Sequence, residues 1–136
     1  MANMKIEEIE GIGAAYAGKL AADGIGDTDS LLEKGCTKKG RAAIAEKCGI
    51  SEKLVLKWVN MADLFRIKGV AGQFAELLEC AGVDTVRELS MRSADNLAAK
   101  LAEVNAQKKL CRVTPNVETV AGWVQQAKDL PRAVEY

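Results

Sequence analysis

Residues 9–13 read IEGIG, and a related stretch, IKGVA, occupies residues 67–71. The two stretches lie 58 residues apart, and the same separation relates glycines and large apolar residues further along the chain. The matched pairs are Tyr16 with Phe74, Ala17 with Ala75, Leu20 with Leu78, Gly24 with Gly82, Ile25 with Val83, and Leu31 with Leu89. Because these residues recur together at one fixed spacing, we infer that the chain contains two diverged copies of one unit.

A second spacing indicates an insertion in the later copy. Trp58 matches Trp123 at a separation of 65 residues, so the second copy is longer by seven. The extra residues fall near 105–114, where a polar stretch interrupts the helical pattern, and we expect a surface loop there. The predicted units are residues 1–66 and residues 67–136, packed together.

The pattern of apolar residues predicts an all-α fold. Apolar residues recur every three or four positions, and no segment alternates as a half-buried strand would. Helices are predicted near residues 3–9, 14–23, 28–34, 38–48, 52–66, 72–81, 85–91, 94–104 and 116–129. The predicted amino-terminal caps are Asp27, Thr37, Ser51, Thr85, Ser93 and Thr114, and the predicted left-handed caps are Gly24, Gly35, Gly49 and Gly82. Trp58, Trp123 and Val117 lie in apolar stripes, which predicts that they pack in the core.

Each repeated stretch predicts a tight turn that joins two helices. Glycine supplies the positive φ that such a turn requires and lets a ligand approach the backbone. The N–H groups that open the following helix carry a partial positive charge, so the hairpin could hold a phosphate oxygen without contacting a base. Alternatively, the glycines serve only to permit the turn, with Ile12 or Val70 filling the core. The motif alone does not separate these interpretations.

The charged residues near the two hairpins differ. Acidic residues at positions 7, 8 and 10 precede the first hairpin and would repel a phosphate, while Lys19 follows it. Arg66 and Lys68 flank the second hairpin, but Ala71 replaces the last glycine of its turn, and the next glycine is Gly72. Charge therefore favours the second hairpin as a phosphate site, and glycine geometry favours the first.

Two basic stretches lie outside the hairpins. They comprise Lys38, Lys39 and Arg41 in the first unit, and Lys108, Lys109 and Arg112 in the insertion. Such stretches usually form a solvated helix face, but they could also follow a phosphate backbone beside a hairpin. Over the whole chain 19 basic residues balance 19 acidic ones, so no overall field attracts nucleic acid.

Composition and motifs argue against several classes of protein. Hydrophobic residues make up 49% of the 136 residues and charged residues 28%, which is typical of a globular domain. Because no long apolar run or signal-like start is present, we expect no membrane partner and a cytoplasmic location. The chain has no histidine and no Cys-x-x-Cys pair, so we predict no metal site, no cofactor and four reduced, buried thiols.

An enzyme is not expected from this sequence. The common general base is missing without histidine, and no Gly-x-x-x-x-Gly-Lys-Ser/Thr phosphate loop occurs. A thiol nucleophile at Cys36 would need a base that the sequence does not supply. We therefore predict no catalytic residues and no small-molecule substrate.

With these motifs, the chain resembles the helix-hairpin-helix superfamily. Over roughly residues 6–66 the first unit is similar to the amino-terminal domain of archaeal RadA-type recombinases, in its hairpin GIG at residues 11–13 and in GISE at residues 49–52. The stretch LECAGVDTVREL at residues 78–89 resembles the carboxy-terminal domain of the RNA polymerase alpha subunit. The whole chain is similar to a prokaryotic tandem family of unknown function. The resemblance implies two bundle units of the SAM or RadA amino-terminal type.

The resemblance also implies where nucleic acid would bind. Members of the superfamily commonly bind DNA without sequence preference through hairpin amides, while many copies act as protein-interaction or structural units. Carried over by position, the phosphate contacts fall on Gly11, Gly13 and Ala14 in the first copy, and on Gly69, Ala71 and Gly72 in the second. The leading hypothesis is a non-catalytic module that binds DNA or another nucleic acid weakly. The alternative is a protein-interaction or scaffolding module.

Overall fold

The computed structural model describes residues 3–9, 11–70 and 72–135. These residues form eight α-helices and one 3-10 helix, and no β-strand occurs among them, so the all-α prediction is confirmed. The 3-10 helix spans Ile6–Glu8, and the α-helices are α1 (Ala14–Ala22), α2 (Thr28–Gly35), α3 (Lys38–Cys48), α4 (Glu52–Leu64), α5 (Gln73–Cys80), α6 (Val86–Ser90), α7 (Ala94–Lys108) and α8 (Val117–Asp129). In the described part of the chain, no helix is both long and apolar enough to cross a membrane.

Most helices begin where the sequence supplies a capping side chain. Six of the eight α-helices start after a residue whose side chain accepts a hydrogen bond from a first-turn amide. These residues are Asp27, Thr37, Ser51, Thr85, Ser93 and Asn116. The prediction of Thr114 as a cap is wrong, because Asn116 caps α8 while the Thr114 hydroxyl accepts a hydrogen bond from the Asn105 side chain at 3.2 Å.

The predicted glycine caps are present with one exception. Gly24, Gly49 and Gly82 have positive φ angles of 80°, 65° and 92°. Gly35 is instead the last residue of α2, where a Cβ would stand 2.5 Å from Cγ2 of Val59 on α4. The prediction for Gly35 is therefore wrong, and this glycine serves the close packing of α2 on α4.

One hydrophobic core runs through both halves of the chain. Both tryptophans belong to it, as predicted, whereas Val117 lies at the surface with 44% of its area exposed. The ring centroids of Tyr16 and Trp58 lie 5.1 Å apart, and those of Phe74 and Trp123 lie 5.5 Å apart. The two halves therefore contain the same aromatic pair at matched positions.

The region of the predicted insertion consists of a longer helix and a folded loop. The helix α7 continues to Lys108, and Lys109 then adopts a left-handed conformation with φ of 52°. The side-chain amide of Asn105 donates to the carbonyl oxygen of Cys111 and accepts from the N–H of Cys111, each at 2.9 Å. The loop is therefore fixed to the helix that precedes it.

Residues 130–135, which we call the carboxy-terminal strap, return to the first half. The N–H of Glu135 donates to the carbonyl oxygen of Cys36 at 2.7 Å. The guanidinium of Arg41 donates to the carbonyl oxygens of Gly35 at 2.9 Å and of Glu135 at 2.7 Å. Only 5% of Arg41 is exposed, so its prediction as part of a basic surface is wrong. The division of the chain after residue 66 stays a prediction.

Candidate functional site

The first hairpin is a tight turn between the 3-10 helix and α1. Gly11 has a φ of 94°, and the N–H of Ile12 donates to the carbonyl oxygen of Ile9 at 3.1 Å. The side chain of Ile12 is buried in the core. Gly13 is extended, and α1 begins directly after it at Ala14. The turn therefore needs glycine at position 11, while position 13 accepts any residue that can extend.

The second hairpin repeats this turn with a different exit. Gly69 has a φ of 96°, and the N–H of Val70 donates to the carbonyl oxygen of Ile67 at 3.1 Å. The helix α5 begins after Gly72, whose φ is 50°. Ala71, a predicted phosphate contact, lies outside the described residues.

An indole ring lies next to each turn. A Cβ on Gly11 would stand 3.6 Å from Nε1 of Trp58, and a Cβ on Gly69 would stand 3.2 Å from Nε1 of Trp123. The Nε1 atom of Trp58 is buried and has no hydrogen-bond partner among the residues that the structure describes. At Gly11 and Gly69, the geometry therefore favours the structural interpretation of the motif.

The helices that follow the hairpins differ from the other six because they have no side-chain cap. The residues before α1 and α5 are Gly13 and Gly72, neither of which offers an acceptor to the first-turn amides. These N–H groups have no acceptor within their own helix either. The space at Gly13 is open, since no heavy atom of a non-neighbouring described residue lies within 4 Å of where its Cβ would be. The N–H groups of Ala14 and the residues after it can therefore donate hydrogen bonds to a ligand.

The charges around the hairpins are mixed. Lys19 is exposed, and its Nζ lies 5.8 Å from the centroid of the Tyr16 ring. Arg112 from the insertion lines a groove of about 530 Å³ together with Gly72. Glu8 from the 3-10 helix lines the same groove. An anion at the second hairpin would therefore have one basic and one acidic side chain nearby.

The backbone of Lys68 is bound by a glutamine side chain of α8. Gln126 on α8 accepts a hydrogen bond from the N–H of Lys68 at 2.8 Å and donates one to its carbonyl oxygen at 3.1 Å. The Lys68 residue is otherwise exposed, so its ammonium group remains available while its amide is occupied. One polar residue on an amphipathic helix has no distinctive spacing, which is why no sequence signal marks Gln126.

The remaining basic residues are spread over the surface. Lys38 and Lys39 are exposed on α3, and Lys38 lines a separate groove of about 360 Å³. Lys108 and Lys109 are exposed at the end of α7. Among the residues of the two predicted basic stretches, Arg112 lines the same groove as the hairpin glycine Gly72.

The four cysteines are unpaired and differ in exposure. Cys48 is buried and Cys80 is exposed, so the prediction that all four thiols are buried is wrong. Desolvation raises the pKa of the Cys48, Cys80 and Cys111 thiols, which lowers the fraction of reactive thiolate. Within residues 3–9, 11–70 and 72–135, no group of three His, Cys, Asp or Glu residues is placed to hold a metal ion.

A further groove, which the sequence did not predict, lies between α4 and α5. It has a volume of about 410 Å³ and is lined by Ser51, Lys53, Leu54, Leu56, Lys57, Asn60, Glu79 and Asp84. We call it the α4–α5 groove. Desolvation raises the pKa of both Glu79 and Asp84. Its residues come from two parts of the chain that only the packed fold brings together.

Comparison with known proteins identifies the family. Over residues 10–130 the chain matches the sequence model of a family described as a domain of unknown function (DUF4332). The chain belongs to this family. Its resemblance to a family of unknown function is thereby confirmed, whereas the similarity of this DUF4332 chain to helix-hairpin-helix proteins and RadA stays a prediction. No curated protein and no solved structure matches it significantly.

Proposed function

We propose that this DUF4332 protein is a non-catalytic module that binds nucleic acid without sequence preference, through the backbone amides that follow its two hairpins. The observation that carries the proposal is the distribution of caps. Among the described residues, six α-helices have a side-chain cap, and the two without one are α1 and α5, each of which follows a hairpin. Amides left open at a helix amino terminus attract an anion such as phosphate.

The environment of the first hairpin supports binding there in particular. The approach to Gly13 is open, and Ala14 is exposed. The buried indole N–H of Trp58, which has no acceptor among the described residues, also lies beside this turn. At the second hairpin, Arg112 adds a positive charge to the groove that contains Gly72.

The affinity is expected to be low. With a net charge of zero, the protein has no overall field that draws it to a polyanion. The salt slope is about −0.9 for each phosphate that Lys or Arg neutralises, and amides carry only partial charge, so two hairpin contacts should give a slope shallower than about −2. Such shallow dependence distinguishes this mode from binding through a broad basic surface.

A protein-interaction module is the second candidate function. It is favoured by the apolar residues at the surface, since Val113 is 76% exposed and Met91 is 68% exposed. Val113 also lines the groove at the second hairpin, beside Phe74. An exposed apolar residue beside a groove, as Val113 is, fits a partner surface.

The experiment that tests the nucleic-acid proposal replaces Gly13 by Asp. This side chain would cap α1, occupy its amides and repel a phosphate, while the backbone at position 13 is already suited to a cap. We expect DNA affinity to fall by about tenfold or more, since one lost charge-assisted contact is worth roughly 1.5 kcal/mol. The melting temperature should stay the same or rise, because Asp caps better than Gly by roughly a few tenths of a kcal/mol. Fluorescence anisotropy with duplex and single-stranded DNA at two salt concentrations measures the affinity.

Gly18→Asp provides the matched control. It adds the same charge to the same helix at an exposed position, where nothing non-neighbouring lies within 4 Å of the new Cβ. Equal losses in both variants would show that bulk charge, not the hairpin amides, governs binding. Absence of wild-type binding at low salt would overturn the proposal itself.

A further inference from the structure

The α4–α5 groove combines apolar walls with buried hydrogen-bond acceptors. Leu54 and Leu56 contribute apolar surface, and Glu79 and Asp84 bring two carboxylates from the other side. Lys53 and Lys57 also line the groove, but both are exposed at its edge. The negative groups are therefore less hydrated than the positive ones.

Two acceptors in this groove are not used by the chain itself. Oδ1 of Asn60 and Oε2 of Glu79 are buried and have no hydrogen-bond partner in the described part of the protein. The other carboxylate oxygen of Glu79 lies 3.9 Å from Nζ of Lys57, whose side chain is 47% exposed. An ion pair with this long a distance and this much solvent exposure contributes little to the stability of the fold. Because both atoms are buried, a donor from outside the chain reaches them only when these side chains turn toward the groove, and pairing of a previously unpaired buried polar atom favours that binding.

We propose that the α4–α5 groove docks an arginine side chain of a partner protein, with its aliphatic part on the leucines and its guanidinium on the carboxylates. Charge complementarity selects a cation, because Glu79 and Asp84 are partly buried in the groove whereas Lys53 and Lys57 are exposed at its edge. The planar guanidinium has five N–H donors in a fixed arrangement, which suits the separate acceptors on Asn60, Glu79 and Asp84 better than an ammonium does. The hairpin glycines do not line this groove, so the inference is independent of the proposed nucleic-acid binding.

Titration with a capped amino acid followed by amide NMR tests this docking. The probes are N-acetyl-arginine-N-methylamide and the corresponding citrulline compound, which has nearly the same shape without the charge. We expect saturable shifts at residues 54–60 and 79–84 with the arginine probe, at a dissociation constant on the order of 1 mM, and none with citrulline. Glu79→Gln should weaken binding by about fivefold or more, because it removes the charge that the guanidinium meets.

Three further variants keep the result interpretable. Glu103→Gln removes a carboxylate from the exposed face of α7 and should leave binding unchanged. Asp84→Asn provides a second loss of charge in the groove if Glu79→Gln folds poorly. Lys57→Met removes the residue that competes for Glu79 and should strengthen binding.

Several outcomes would overturn the inference. If the citrulline compound bound as tightly as the arginine compound, the carboxylates would not be recognising a positive charge. Putrescine binding as tightly would indicate a site for small amines rather than for a protein side chain. Shifts of the same amides by a short DNA strand would assign the groove to nucleic acid, and shifts confined to the hairpins would show that the groove is not used.

Discussion

The two hairpins share a turn but differ in what lies beside it. Gly11 and Gly69 have φ angles of 94° and 96°, and each lies against the indole of its own half. The residue between the turn and the next helix differs. Before α1 it is Gly13, which is extended, whereas before α5 it is Gly72, whose conformation is accessible mainly to glycine. The glycine turn and the neighbouring indole are therefore required by the fold, whereas the residue before the following helix can differ with function.

The neighbours of the two hairpins differ as well. Gln126 binds both backbone groups of Lys68 in the second half, whereas the matching position on α4 holds the buried Met61. In the first half, Arg41 lies four residues after the cap Thr37 and binds the carboxy-terminal strap, whereas the position four residues after the cap Ser93 on α7 holds the buried, apolar Leu97. Each half therefore has one polar anchor that the other lacks, and removing these anchors separately tests the comparison.

Removing Arg41 is expected to have the largest effect. Arg41→Ala leaves the carbonyl oxygens of Gly35 and Glu135 without their charged donor, in a place where the arginine is 95% covered. We expect the free energy of unfolding to fall by about 3 kcal/mol, as measured by urea denaturation. Lys38→Ala, on the exposed side of the same helix, should change it by less than about 0.5 kcal/mol. Equal effects of the two variants would contradict the buried role of Arg41.

The glycines at the turns should show the second-largest effect. Gly69→Ala and Gly11→Ala each place a Cβ at a positive φ, which costs about 1–2 kcal/mol. Gly69→Ala should cost more, because its Cβ would stand 3.2 Å from an indole nitrogen rather than 3.6 Å. Thermal denaturation compares both with Gly122→Ala, in a helix with open space around it, which should stabilise by up to about 1 kcal/mol. Similar stability in all three variants would refute the geometric role of the turns.

Removing Gln126 should have the smallest effect. Gln126→Ala removes two hydrogen bonds to Lys68 at a partly exposed site, so we expect a loss of about 0.5–1 kcal/mol. The local consequence is sharper: the amide of Lys68 should exchange with solvent faster, which hydrogen exchange followed by NMR detects. Gln125→Ala on the neighbouring exposed position is the control. An unchanged exchange rate at Lys68 would mean that the second hairpin does not depend on this anchor.

Much of the fold could be predicted from the sequence because its signals are local. The spacing of 58 residues pairs Tyr16 with Phe74, and the structure places both rings against the tryptophans. Capping residues such as Asp27 and Thr85 also act on amides only three residues away. A pattern of this kind is readable without knowing how the helices pack.

The errors concern residues whose role depends on distant parts of the chain. In the sequence, Arg41 follows two lysines and is predicted to lie on the surface with them. The acceptor that it binds in the fold, on Glu135, lies 94 residues away, so no local pattern indicates its burial. Gly35 follows a helical segment as a cap would, but the deciding neighbour is Val59 on another helix. The α4–α5 groove was missed for the same reason, since Asn60 and Glu79 meet only after α4 and α5 have packed. Periodicity reports which face of a helix is apolar, but not which polar side chains that face will enclose.

The carboxy-terminal strap also constrains the order in which the protein can be built. The acceptor that Glu135 offers to Arg41 and the buried side chain of Val134 are translated after the first half of the chain. Until they are present, Arg41 can bond only one of its two carbonyl acceptors, that of Gly35. Contacts between residues far apart in sequence form more slowly than local contacts do. We therefore expect the contact between Arg41 and the strap to form late in folding rather than early.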